Sequence, residues 1–376
     1  MRRTLGMILV TLGAFCMTLA PLVRFYVADK VVVAPLNQYQ KTVLEAPNAQ
    51  YFDQAAFKTR TNVTLVATNI VRGDVRANNG DDRIAVWDSS TDIRDKERDQ
   101  QIDLQAFRVA FNRKTGELVN CCAVQVAGDT NVKMSGYGIL FPIANVHKRD
   151  YPFFDMTTRQ IVPVRYDGTE KILGIKTYRF TQQVPLTKTE ALDAKIPADM
   201  LGMQKTDPAQ KVDRYFTAAI TQWVDPRTGI PIKTRQNIRN TLATPDGRGS
   251  MTVAQADLLT TPASQKALAD KSNSTAFKIG AAQGWGPLSL LFGGLSLLLI
   301  GTAVGLAGGA RGPQEPPAPR RADGKFGDLR TASGAPEDED LAELPRVSDG
   351  RFRDVKEDPP PVRSADGRFN TWNPPS

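Results

Sequence analysis

The sequence predicts an α+β protein: a mainly antiparallel β external domain, built as a large curved sheet or barrel, flanked by two transmembrane helices. Three observations carry that prediction. Leu5–Val23 and Ile279–Ala310 contain no charged residue, and about 20 mostly apolar residues span a bilayer core. Between them, β-branched and partly alternating runs are separated by turn signals. Two of those turns, Asn112–Gly116 and Asp225–Gly229, share one form: Asn or Asp, two residues, then Thr-Gly. Each describes a hairpin with glycine available for positive φ.

Residues 1–4 form a short cytoplasmic N-terminus, and residues 5–23 the first span. Arg2-Arg3 also suits a signal peptide, and Thr18-Leu19-Ala20 loosely resembles a cleavage site. Pro21 follows at once, however, and apolar residues continue through Phe25, Tyr26 and Val31–Val33 towards Pro35. A retained anchor fits better. The second span, 285–310, starts at Trp285, as aromatic rings do at a lipid–water boundary, and is followed by Arg311, Arg320 and Arg321. Its glycines either let helices approach closely or are simply tolerated in lipid. Two spans put both termini on one side, and the arginines mark that side as cytoplasmic. The expected location is the cell (inner) membrane, with residues 24–283 as an extracytoplasmic β-rich domain.

Inside that domain, strands are expected at Asn62–Val71, Arg83–Ser90, Ile102–Phe111, Leu118–Val126, Lys176–Val184, Tyr215–Val224 and Ile230–Leu242. Stretches 35–60 and 186–212 read as helical or looped, and Pro262–Ala269 as one short helix. Residues 311–376 are proline-rich with almost no aliphatic periodicity, so a disordered cytoplasmic tail is expected. Three Asp-Gly-basic-Phe repeats end at Phe326, Phe352 and Phe369. They read as docking elements for a cytoplasmic protein, since tethered copies raise avidity, or as drift in a low-complexity tail.

The chemistry on offer is thin. One histidine and three cysteines stand among 376 residues, so nucleophile–His–acid catalysis would have to use His147, and Cys/His zinc sites lack ligands. No P-loop, dinucleotide or Gly-x-Ser-x-Gly signature occurs. Asp81-Asp82 and Asp95, Glu97 and Asp99 do not follow the ligand order of an EF-hand. No catalytic residue, metal or cofactor is assigned, and the chain is not expected to be an enzyme. The net charge of +8 is spread without a dense basic run, which argues against nucleic acid. Cys121 and Cys122 are adjacent in the exported block while Cys16 lies in the first span. A vicinal disulfide, buried free thiols and an intermolecular bridge all remain open for the pair.

The first span, Thr115–Cys122, Gly136–Pro142, Lys148–Asp155 and the second span together resemble the actinobacterial porin PorA-like membrane family, formerly a domain of unknown function. The resemblance covers about residues 5–310 and implies a cell-envelope protein, with a porin-like pore component as one function. Gly174–Phe180 and Gln222–Ile232 are also similar to hairpins of envelope lipoproteins that cradle lipid on a curved sheet. Two spans around one large external domain are similar in plan to class B scavenger receptors.

The leading reading is a non-enzymatic envelope protein whose external domain binds or passes a lipid or other apolar ligand. A long hairpin-rich sheet offers more apolar surface than its few helices cover, at roughly 25 cal/mol per Å² removed from water. The candidate lining is Phe141, Tyr151, Phe153, Phe154, Tyr178, Phe180, Phe216 and Trp223, each with ordinary core packing as the alternative. A scaffold with a solid-cored domain and a docking tail is the rival. Partners on these readings are membrane lipid, an envelope lipid ligand and a cytoplasmic protein on the tail. The orientation is open to direct test. A reporter fused after Ser376 is expected in the cytoplasm and one inserted near Asn79 outside it; the reverse pattern refutes the assignment.

Overall fold

The computed structural model describes residues 2–307. The chain begins with α1 (Arg2–Pro21), a π-helical turn at Leu22–Val27 and one further turn, α2 (Ala28–Val31). The widened turn sits directly after Pro21, whose ring removes a helix donor. Twelve strands follow: β1 (Tyr39–Asp53), β2 (Lys58–Gly73), β3 (Ile84–Asp95), β4 (Gln101–Asn112), β5 (Leu118–Val119), β6 (Gln125–Val126), β7 (Tyr151–Asp155), β8 (Gln160–Ile172), β9 (Ile175–Ile196), β10 (Gln210–Val224), β11 (Pro231–Ala243) and β12 (Ser250–Thr260). The chain then runs into α3 (Pro262–Gln283) and α4 (Trp285–Ala307). The fold is α+β, as the sequence predicts.

All strands join one antiparallel curled sheet in the order β5-β4-β3-β2-β1-β12-β11-β10-β9-β8-β7, with β6 also on β4. The first and last strands are therefore neighbours at its centre. Leu44 of β1 faces Thr260 of β12, so β1 begins where β12 ends. Antiparallel pairing alone thus sends the N-terminal and C-terminal helices out of the same end.

α1 and α4 are long and apolar enough to cross a membrane, and they pack against each other through glycine. A β-carbon on Gly13 would lie 2.7 Å from the carbonyl oxygen of Gly294, and one on Gly301 would lie 2.9 Å from that of Gly6. The helices meet backbone to backbone, which small residues alone permit.

α3 fixes this pair to the sheet. Thr261 caps it by accepting from Ser264 N, and Pro262 occupies the first turn. Ser264 Oγ accepts from Val43 N of β1 at 2.9 Å. Ser272 Oγ donates to the buried Asp225 at 2.8 Å in the β10–β11 turn, beside a 2.6 Å hydrogen bond between Thr228 and Ser272. Lys114 also pairs with Asp29 of α2.

The two sheet edges come from mid-chain, and one strap joins them. Leu118 N of β5 donates to Gly136 O; Tyr137 N donates to Pro152 O, and Phe154 N of β7 to Tyr137 O. Asn120 holds the strap by exchanging two 2.8 Å hydrogen bonds with the Met134 backbone. Unpaired edge groups are the liability of any open sheet, and here one segment pairs with both edges.

Several expectations change. Residues 35–60 hold β1, whose alternation is hidden by a bulge at Pro47-Asn48 and by Asn48 at φ 55°. Residues 186–212 are largely the far half of β9 and the start of β10, with one 3-10 turn at Ala198–Leu201. The short helix at Pro262 runs on to Gln283. Leu118–Val126 is two two-residue strands rather than one. The tail, with Phe326, Phe352 and Phe369, lies outside the described residues.

Gly136 tests the strap. It sits at φ +72°, and a β-carbon there would lie 2.3 Å from Pro152 O. Gly136→Ala therefore meets both a left-handed backbone and a clash, and is expected to cost about 2–3 kcal/mol. Thermal unfolding of the full chain should show a midpoint several degrees lower; an unchanged midpoint contradicts the closure.

Candidate functional site

Side chains alternate across a strand, so register shows what faces the concave interior. Near the helices, Trp87, Val109, Phe111, Val126 and Phe154 form one buried cluster. Beside it, Phe141, Tyr151, Phe153 and Phe180 form a second with Tyr137, Val164 and Val224. Farther out, Leu44, Ala46, Leu65, Ala67, Ile93, Ala256 and Leu258 make an aliphatic layer, opposite Val184, Phe216 and Ala218. Polar residues of the same faces lie between. Asn69 Nδ2 donates to Ser89 Oγ and Thr91 Oγ1, both at 2.9 Å. The buried Gln182 donates to Val162 O at 3.0 Å.

The eight proposed lining residues are mostly occupied with one another. Phe141 lies 4.7 Å from Phe180 and 4.8 Å from Phe153, centroid to centroid, and 5.7 Å from Tyr151. Tyr178 flanks this group, and Phe154 belongs to the Trp87–Phe111 cluster. Phe216 packs on Val162 and Val184. Trp223 packs among Ile172, Ile175, Ile232 and Ala269, with its indole N–H donating to Glu170 at 2.6 Å. These rings fill core.

The open space lies elsewhere. A cleft of about 200 Å³ opens on the concave face, away from the helices. Its apolar lining is Leu65, Ile93, Ile238, Ala254, Ala256 and Leu258; its polar lining is Gln54, Gln100, Asp103, Arg214 and Asn240, with the buried Tyr51. A second space of similar size opens at the β1 bulge among Asn48, Gln50, Asn237, Gln255 and Asp257. The first set escaped sequence reading, although Ala254, Ala256 and Leu258 alternate with Gln255 and Asp257. That signal names a face and does not say that a cleft borders it.

A polar network borders the cleft. Tyr51 Oη donates to Asp95 at 3.0 Å, and burial, then that carboxylate, push the phenol up to about 12. Asp53 is held at about 2 by the Ala56 N–H and the Arg60 guanidinium, which bonds it at 2.7 Å. Burial opposes ionisation of Asp95, but Arg98, Tyr51 and Glu97 N–H hold its carboxyl below the ordinary range.

Cys121 and Cys122 are bonded to each other, and Cys16 is a free thiol. Among the described residues no group of three or more His, Cys, Asp or Glu gathers as a metal site.

The family model for Porin PorA matches residues 5–303. The chain belongs to that family. Porin PorA of Corynebacterium amycolatum is 21% identical over 345 residues, which cover 75% of this chain and 87% of that protein. The Porin PorA match spans most of α1, the whole sheet, α3 and most of α4, so it takes in the sheet together with both apolar helices. With its two apolar helices, the chain is a cell-envelope membrane protein.

Acid stability follows from the network. Asp53 ionises below its ordinary value only in the fold, so its contribution is full above about 4 and is lost as pH falls towards 2. The raised Tyr51 acts oppositely: its contribution is full below about 10 and is lost as pH rises towards 12. Thermal midpoints across pH should fall at both extremes, and Asp53→Asn should flatten the acid limb. An unchanged acid limb refutes the assignment to Asp53.

Proposed function

We propose that this Porin PorA family member is a non-enzymatic protein anchored in the cell membrane by α1 and α4, whose extracytoplasmic β-domain holds a lipid or similar amphiphile. The observation that carries the reading is the cleft on the concave face, whose lining joins aliphatic and polar side chains. Amphiphiles present one apolar end and one polar end, and ligand sites commonly join an apolar lining to a few polar groups. The cleft is smaller than the roughly 300–1,000 Å³ of a full ligand pocket, so it suits part of an acyl chain and the start of its headgroup.

The outward face of the sheet supports a domain in water rather than a barrel in lipid. It carries Lys41, Asp92, Arg94, Arg235, Asn237 and Arg239 on alternation opposite to the core, where a membrane barrel needs an apolar band.

The family name supplies a second reading, a pore component, favoured by the polar layer around Asn69 and Gln182 inside the sheet. Conductance of the purified chain in a planar bilayer supports that reading, and its absence leaves the lipid one.

The lipid reading is tested by organic extraction and mass spectrometry of the full chain purified in mild detergent. Lipid is expected to co-purify with the native chain. Ala254→Phe, which adds bulk to the cleft lining, should remove most of it at a stability cost of about 1–3 kcal/mol. Equal lipid on both proteins, or none on the native one, overturns the proposal.

A further inference from the structure

We propose that Arg214 is the headgroup anchor of the cleft, and that its ligand is an anionic amphiphile whose charged oxygens this guanidinium receives. The proposal rests on the lipid-binding reading and adds the charge class of the ligand and the residue that selects it.

Arg214 stands on β10, opposite Leu242 of β11 and Glu190 of β9. It shares a face with Phe216, two residues on, which packs inside the sheet. The side chain lines the cleft beside Asn240 and Asp103. Its Nε is buried and has no hydrogen-bond partner, the one such side-chain atom among the described residues. The nearest carboxylate oxygen, on Glu190, is 3.8 Å away, too far for a hydrogen bond.

The other arginine pairs near this end of the sheet are close: Arg60 lies 2.7 Å from Asp53, and Arg98 lies 2.9 Å from Asp95. Of these three, only Arg214 has a buried donor without a partner. A buried donor without an acceptor costs free energy, and a guanidinium offers a planar fork that fits two oxygens of a carboxylate or phosphate. Asp103 is the acidic group facing the same cleft, and its two oxygens already accept from Leu104 N and the Gln105 side chain, each at 2.9 Å. Ile238 and Ala254, both half-buried, line the same cleft, so a head held by Arg214 would leave its chain against apolar side chains.

The test uses the full chain in amphipol, titrated calorimetrically with dodecyl phosphate, dodecyl maltoside and inorganic phosphate. The expected result is dodecyl phosphate binding about ten-fold or more tighter than the neutral maltoside. That preference should be lost in Arg214→Gln and largely kept in Arg214→Lys. Equal binding of both detergents to the native chain, or a preference that survives Arg214→Gln, overturns the anionic headgroup while leaving an amphiphile site. Inorganic phosphate that binds as tightly as dodecyl phosphate marks a free-anion site and overturns the amphiphile. Binding of neither detergent removes the lipid reading together with this inference. The native-chain comparison decides even if Arg214→Gln fails to fold.

Discussion

Backbone hydrogen bonds through Gly136 and Tyr137 are the constraint on which the sheet depends. A twelve-stranded sheet that curls must either meet itself or leave two rows of unpaired donors and acceptors. Here β5 and β7 do not pair directly. A strap bonds to Leu118 on one side and to Pro152 and Phe154 on the other, and carries Met134 and Phe141 into the cores on either side. Phe141, Tyr151, Phe153, Phe154 and Phe180 pack against this closure, while Phe216 and Trp223 fill clusters of their own. The interior nearest the helices is solid, and the open cleft is left at the far end.

The second organising fact is the central position of β1 and β12. Because the terminal strands are neighbours, α1 and α4 leave side by side and pack glycine against glycine. A single joint at Ser272, Thr228 and Asp225 ties α3 to the β10–β11 turn. The carboxylate there is fully buried and is satisfied by Arg227 as well as Ser272, so removing either partner leaves a buried charge short of a hydrogen bond.

Legibility varied by element. The apolar helices were plain because a long uncharged run has few other uses. The Thr-Gly hairpins were plain because their turn chemistry is local, and Gly116 and Gly229 do adopt positive φ. β1 was hidden because its bulge at Pro47-Asn48 interrupts the period-two pattern. The candidate rings are large and apolar, and nothing local distinguishes a ring that lines a cavity from one that fills it.

By itself, the sequence determined composition-driven properties: two apolar helices, an antiparallel β-domain between them, and the absence of recognisable catalytic motifs. These follow from hydropathy and turn residues, which act over a few neighbours. Tertiary structure alone decided where the sheet closes, which side chains border the open cleft, and that Arg214 keeps a buried, unpaired donor in its lining. Those outcomes depend on strand order and register across residues 39–260. They are set by pairings between distant segments, and a local pattern does not encode them.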